Sequence, residues 1–222
     1  GMLIGLLGAG GQLILFQALR IGPAYLVFPI ISLSPVVTII LATFLLRERA
    51  RLRSWLGIIL ALVAIPLLSY QPPDDSDGRG ILWVFLALGV FFAWGIQAYI
   101  MRFANKRMRA ESIFFYMMAT ALLLIPFAVF MTDFNQPINW GFRGPGLAAL
   151  IQVLNSIGAL CIVYAFRYGR AIIVSPLTNA VAPVITVVIS LLIYQVIPHS
   201  VTTTGMILAI TSAALLALES GD

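Results

Sequence analysis

The stretch Ala18-Leu19-Arg20-Ile21-Gly22-Pro23-Ala24 returns as Ala165-Phe166-Arg167-Tyr168-Gly169-Arg170-Ala171, 147 positions further along the chain. The same offset pairs Val27 with Val174 and Pro29 with Pro176. After one inserted residue, an offset of 148 pairs Pro35 with Pro183, Thr38 with Thr186 and Gly57 with Gly205. Each copy of the motif joins two long apolar runs and a third run follows, so the repeated unit is three helical spans. In the first copy the second and third runs are linked by the basic loop Arg47-Glu48-Arg49-Ala50-Arg51-Leu52-Arg53. In the second copy the corresponding Tyr194-Gln195-Val196-Ile197-Pro198-His199-Ser200 has no Lys or Arg. Because Lys and Arg are retained on the cytoplasmic side of a membrane, a loop that has lost them is expected to face the other side. The two units are therefore expected to be inverted relative to each other, an arrangement common in secondary transporters.

The rest of the chain supports a membrane setting. It is 61% hydrophobic and 9% charged, against about 25% charged in soluble domains, which leaves too little polar surface to coat a soluble globule. Apolar runs of the length needed to cross the hydrocarbon core follow one another along nearly all of it. In lipid the backbone must satisfy itself, as helix or closed barrel, and runs without strict alternation exclude a barrel. The fold class is an all-α polytopic bundle of about eight spans, near 2–19, 22–46, 54–70, 80–101, 112–131, 145–166, 171–194 and 202–218. Placing alternate loops on alternate sides groups ten of the thirteen Lys and Arg with the C-terminus, leaving Arg20, Arg79 and Arg143 opposite. That split makes the basic side and the C-terminus cytoplasmic. It also accounts for the net charge of +5 without a nucleic-acid partner. Trp55, Trp83 and Trp140 fall near span ends, where interfacial anchors are expected. Gly1-Met2 leads straight into apolar sequence with no basic segment ahead, so it is not read as a cleavable signal but as a cut end. Cys161 has no partner for a disulfide.

The segments Ala18–Ala24, Ser34-Pro35-Val36-Val37, Leu45-Leu46-Arg47-Glu48-Arg49 and Gly57-Ile58-Ile59-Leu60, in this order and duplicated, resemble the EamA domain of the drug/metabolite transporter superfamily. Phe92-Ala93-Trp94-Gly95-Ile96-Gln97-Ala98-Tyr99 is similar to the opening helix of that family's second repeat. The resemblance covers nearly the whole chain and implies two five-helix repeats. Residues 1–70 would then be the last three helices of the first repeat, 71–79 an extracytoplasmic loop, and 80–219 the complete second repeat. Two N-terminal helices are accordingly expected to be missing. The resemblance further implies a multi-pass protein of a bacterial cytoplasmic membrane that carries a small metabolite or drug-like solute, with no enzyme activity and no cofactor. The family's acidic residue after the penultimate helix is replaced by Val196, whereas Glu48 retains it in the first copy and is read as a loop charge paired with neighbouring arginines.

Candidate site residues follow from what is costly in lipid. Pro29 and Pro35 in one span, and Pro176 and Pro183 in its counterpart, each remove a backbone donor and are expected to break or kink their helices. Paired interruptions point to a midplane transport site. Ser32, Ser34 and Thr38 in the first copy, with Ser175, Thr178, Asn179 and Thr186 in the second, lie near them. Ser and Thr in membrane helices also bond the preceding turn, so these residues carry a second, purely structural reading. Carboxamides in hydrocarbon need partners, which adds Gln12, Gln17, Gln97, Gln152 and Asn155; Trp94 and Tyr99 flank Gln97, and Tyr164 stands where Gln17 does in the other copy. Each amide can equally serve as interhelical glue. Every acidic residue lies in a loop, at a span edge or in the tail, and no Lys, Arg or His is at mid-span. That suits a neutral, zwitterionic or amphipathic solute rather than an anion, and leaves Glu111 at a span edge as a titrating group if protons are coupled. With one His and one Cys, neither a metal site nor a catalytic triad can be assembled. A lipid flippase and a non-transporting membrane subunit are the alternatives. Gly5, Gly8, Ala9 and Gly11 would let the first span pack closely against another helix, and a homodimer is one arrangement that would use them.

Overall fold

A computed structural model describes residues 1–48, 52–68, 70, 80–132, 134, 140–195 and 198–218, apart from the side chains of residues 66, 143, 177, 180–187, 190, 194 and 216–218. The 71–79 loop expected between the repeats, and Val196, lie outside the described residues. The described residues form helices and connecting turns, with no strand. These are α1 (Met2–Ile21), α2 (Ala24–Ser32), α3 (Pro35–Leu45), α4 (Leu52–Leu68), α5 (Leu82–Asn105), α6 (Ala110–Leu123), α7 (Ile125–Phe130), α8 (Leu147–Tyr168), α9 (Ala171–Tyr194) and α10 (Ser200–Leu218). A single π-type turn, Phe142–Gly146, leads into α8.

Two pairs of these helices are single passes with a joint: α2 with α3, and α6 with α7. Five passes are long and apolar enough to cross a bilayer on length and composition: Met2–Ile21, Ala24–Leu45, Leu82–Asn105, Ala110–Phe130 and Gly144–Tyr168. The apolar helices α4 and α10 are shorter, and α9 runs for 24 residues without a charge. The eight expected spans are all helical, with ends shifted by a few residues. The largest shift is in α5, which continues past Arg102 to Asn105 because both side chains find acceptors on α8. Arg102 donates to the Phe166 and Arg167 carbonyls at 3.0 and 3.1 Å, and Asn105 donates to the Val163 carbonyl at 3.1 Å.

The repeat seen in the sequence has a backbone counterpart. Gly22 and Gly169 end α1 and α8 in the same extended conformation (φ −123°, ψ 152° and φ −103°, ψ 155°), each donating its N–H one turn back at 2.8 and 2.7 Å. Left-handed residues close the following spans at Arg47 (φ 56°) and Gln195 (φ 51°), which are 148 positions apart. The equivalent arginines show the inversion. Arg20 donates to the Met131 carbonyl just after α7, whereas Arg167 donates to the Met108 carbonyl just before α6, at the opposite end of the same pass.

Lipid tails are as apolar as leucine, so close packing and interhelical hydrogen bonds hold such a bundle together. Of these five passes α2–α3 is the most enclosed, with Val27, Ile30, Leu33 and Ile39 buried along it. It packs against α5 and α9, α4 packs along α10, and α1 packs along α5 and α6. Alanines fully removed from the surface, such as Ala42, Ala61, Ala64 and Ala87, mark the crossings. Trp83 departs from its expected interfacial role: it is 1% exposed and packs against Gly22. The small-residue face of α1 is filled within the chain, since Gly5 meets Met117 and Thr120, Gly8 meets Gln97 and Gly11 meets Trp94. That face is therefore taken by α5 and α6, and a second copy cannot use it without displacing them.

A buried polar chain crosses the centre. The Ser175 hydroxyl donates to Thr38 Oγ1 at 3.1 Å, and Thr38 donates to the Gly95 carbonyl at 2.9 Å, linking α9, α3 and α5. Interhelical bonds of this kind contribute about 0.6–1.7 kcal/mol each in membranes. Thr38→Val should therefore lower stability by about 1–2 kcal/mol, measured as an earlier thermal unfolding midpoint in detergent, while Thr211→Val on the exposed side of α10 should leave it unchanged.

Candidate functional site

A cavity of about 590 Å³ lies between α1, α5, α6–α7, α8 and α9, with the joint between α2 and α3 at its inner wall. That volume is within the 300–1,000 Å³ range usual for small-molecule sites. The joint contributes one polar group to it. Leu33 and Ser34 form a turn, their N–H groups bonding the Ile30 and Ile31 carbonyls at 3.2 and 2.9 Å, and α3 restarts with Pro35 in its first turn. The turn places Ser34 at the cavity wall, where its hydroxyl has no hydrogen-bond partner among the described residues.

One wall carries Gln12 from α1 with Trp94 and Gln97 from α5; the Trp94 indole N–H donates to the Gly8 carbonyl at 3.4 Å. The facing wall carries Gln152 and Asn155 from α8 and Asn179 from α9. Asn155 donates to Gln152 at 3.3 Å, and Asn179 donates to the Ser175 carbonyl at 2.8 Å. Gln12 and Gln97 make no such bond among the described residues, so their carboxamides are available to a solute. Between the amides lie Phe16, Met101, Met117, Met118 and Phe166. Among the described residues every lining side chain is uncharged. The site therefore offers hydrogen-bond donors and acceptors to a polar group and thioether and aromatic surface to an apolar one.

Of the residues singled out from the sequence, the structure thus brings Gln12, Ser34, Trp94, Gln97, Gln152, Asn155 and Asn179 to one cavity. Others stand elsewhere. Gln17 accepts from Arg20 at 3.4 Å at the far end of α1. Ser32 is turned into its own helix, donating to the Pro29 carbonyl at 2.7 Å. Tyr99 is half-buried on another face of α5. Tyr164 donates to Glu111 at 2.6 Å, at the arginine-rich end. The side chains of Thr186 and Pro183 lie outside the described residues. The expectation of paired helix breaks is corrected: only the first copy is interrupted, ahead of Pro35. Pro29 is carried inside α2, and α9 runs unbroken through Pro176 and Pro183. A helix tolerates a proline where neighbouring helices and a local adjustment satisfy the freed carbonyl.

The cavity methionines and Ser156 were not among the sequence candidates, whereas Thr178 was. Nothing in an apolar helix distinguishes a methionine facing a cavity from one in a packed core. At the outer flank of the cavity, residues 147–155 of α8 are exposed on all sides. Gln152 and Asn155 are consequently at the cavity's open edge rather than in the bundle interior.

Comparison with known proteins gives the family. A solved crystal structure matches 99% of this chain with a TM-score of 0.65 at 18% identity, which establishes a shared fold; the match takes in 77% of that protein. An uncharacterised protein of Methanocaldococcus jannaschii is 39% identical over 59 residues, and this chain spans less than half of its length, 43%. The model of the EamA-like transporter family matches residues 1–70 and 81–218. With both matched segments covering the helices that build the cavity, the chain belongs to the EamA-like transporter family.

Proposed function

We propose that this protein moves a small uncharged or zwitterionic solute across a membrane by alternating access, the two inverted units rocking about the cavity between them. The observation that carries this reading is the lining itself: amides and hydroxyls from both units around an apolar floor, with no charged side chain among the described residues. An anion such as a phosphate ester would be desolvated there without a guanidinium or ammonium to receive it. The units are residues 1–70 and 80–219. The arginine-rich ends and the C-terminus face the cytoplasm of a bacterial cell by the retention of Lys and Arg. The partners are the solute and the lipid bilayer.

The test is solute counterflow in proteoliposomes, with panels of zwitterionic amino acids, neutral amphipathic amides and phosphate esters. Uptake of members of the first two panels and none of the third is the expected result. Movement of phosphate esters alone would remove the uncharged-solute reading, and movement of nothing would favour a non-transporting subunit. A second reading has an observation of its own, the exposed flank at Gln152 and Asn155, which would admit a lipid headgroup sideways. Fluorescent-lipid scrambling in the same vesicles tests it directly.

A further inference from the structure

At the arginine-rich end of the bundle one carboxylate joins both copies of the repeat. After α3 the chain turns through Arg47 at φ 56°, a left-handed conformation uncommon for a residue with a Cβ. The turn carries Glu48 inward until its side chain is 8% exposed. Arg49 and Arg51, with which the sequence suggested Glu48 pairs, lie outside the described residues; its described partners come from other helices. Its Oε1 accepts from Arg102 Nε on α5 at 3.2 Å, and its Oε2 accepts from the backbone N–H of Ile172, in the first turn of α9, at 3.3 Å. The α9 N-terminus favours negative charge through its unsatisfied N–H groups. Arg102 donates in turn to the Phe166 and Arg167 carbonyls that end α8. One residue thereby ties the end of α3 to α5, to the start of α9 and, through Arg102, to the end of α8. Met101 and Phe166 belong to the cavity lining, so the network adjoins the cavity at this end. At the other end of the bundle the equivalent turn at Gln195 is left-handed too, but the next residue is Val196, which has no carboxylate.

We propose that Glu48 is a latch holding the cavity shut toward the arginine-rich face, and that the lack of a carboxylate at position 196 leaves the opposite face the easier one to open. Opening toward the arginine-rich face parts the ends of α3 and α9 from those of α5 and α8. That separation breaks the Glu48–Arg102 contact while the contact to Ile172 moves with α9, and separating a largely buried carboxylate from its guanidinium is costly. Glu48 is a positioning residue, since it touches no solute. Its purpose rests on the alternating-access reading, but its action is measurable without any solute.

The measurement is face-specific labelling of the full chain in membrane vesicles of both orientations with a membrane-impermeant maleimide. Cys161→Ser removes the exposed native thiol. Ala98→Cys places a reporter in the cavity one turn from Arg102, and Lys106→Cys, in a separate sample, identifies the arginine-rich face. Glu48→Gln and, independently, Arg102→Gln should raise the rate of labelling at position 98 from the arginine-rich face by about fivefold or more, with no rise from the other face. An unchanged rate in both variants would overturn the latch, as would an equal rise from both faces, which is the mark of a loosened bundle. If Glu48→Gln does not fold, Arg102→Gln decides alone. If labelling shifts as expected while no solute moves in counterflow, the transport reading fails and the latch stands.

Discussion

Replacing Gly95 by valine should abolish recovery of folded protein, and Gly95→Ala should lower its thermal midpoint markedly. A Cβ built on Gly95 would sit 2.5 Å from Val37 Cβ and 2.7 Å from the Ser34 carbonyl oxygen, distances that real side chains do not reach. Neither neighbour is the free end of a flexible side chain. One is the branch point of a β-branched residue and the other is backbone at the joint between α2 and α3, so the whole α3–α5 crossing must widen. Overpacking of this kind costs about 1–3 kcal/mol for one added group, and valine adds two more methyls in the same place. The crossing also carries the hydrogen bond from Thr38 to the Gly95 carbonyl, which widening would lengthen. Gly10→Ala is the control: nothing lies within 4 Å of its added Cβ, and alanine is the better helix former by about 1 kcal/mol. Monodisperse yield and thermal unfolding in detergent read both variants. A Gly95→Ala midpoint equal to that of Gly10→Ala would mean that α3 and α5 do not cross at this point.

Gln97→Leu should cut solute uptake by about tenfold to a hundredfold while leaving the thermal midpoint unchanged or higher. Leucine is close to glutamine in size, and the Gln97 carboxamide has no hydrogen-bond partner among the described residues, so no protein contact is removed. What the substitution takes away is a donor and an acceptor facing the cavity. Losing one or two hydrogen bonds to a bound polar solute costs about 1.4–2.8 kcal/mol, at tenfold per 1.4 kcal/mol. Interhelical glue would give the opposite pattern, a lower midpoint with uptake falling only in proportion to folded protein. Uptake measured per folded molecule separates the two, and unaltered uptake would remove Gln97 from the site. Gly8 offers a second handle on the same group, because a Cβ there would run into the Gln97 amide. Gly8→Ala should therefore weaken uptake by turning that amide aside, with less effect on folding than Gly95→Ala, since the amide is the free end of a flexible chain.

The passes, their number and the inversion of the two units were legible in the sequence because each rests on local information. Apolar length fixes a span without reference to its neighbours. A seven-residue motif around Gly22 and Gly169 carries its own extended turn, and loops keep or lose arginine according to the side they face. Membership of the cavity was not legible in the same way. A membrane helix is apolar all round, so its sequence carries little indication of which side faces a cavity, a neighbour or lipid. Gln12 and Gln17 on α1 read alike, yet one faces the cavity and the other meets Arg20 at the helix end. Tyr164 read as a site residue and instead holds Glu111. Pro35 and Pro183 occupy equivalent places in the repeat, but only the first follows a break, because continuity of a helix past proline depends on the neighbours it packs against. Glu48 shows the division most clearly. Its sequence neighbours are arginines, and its partners among the described residues are Arg102 and the start of α9, brought to it by the left-handed turn at Arg47 and the packing of α3 against α5 and α9. Apolar length, the duplicated motif and the placement of arginine are enough to read a membrane bundle of helices built from two inverted units. Which polar groups face one another emerges from the packed bundle alone, since that depends on how each helix is rotated and on contacts between residues far apart in the chain.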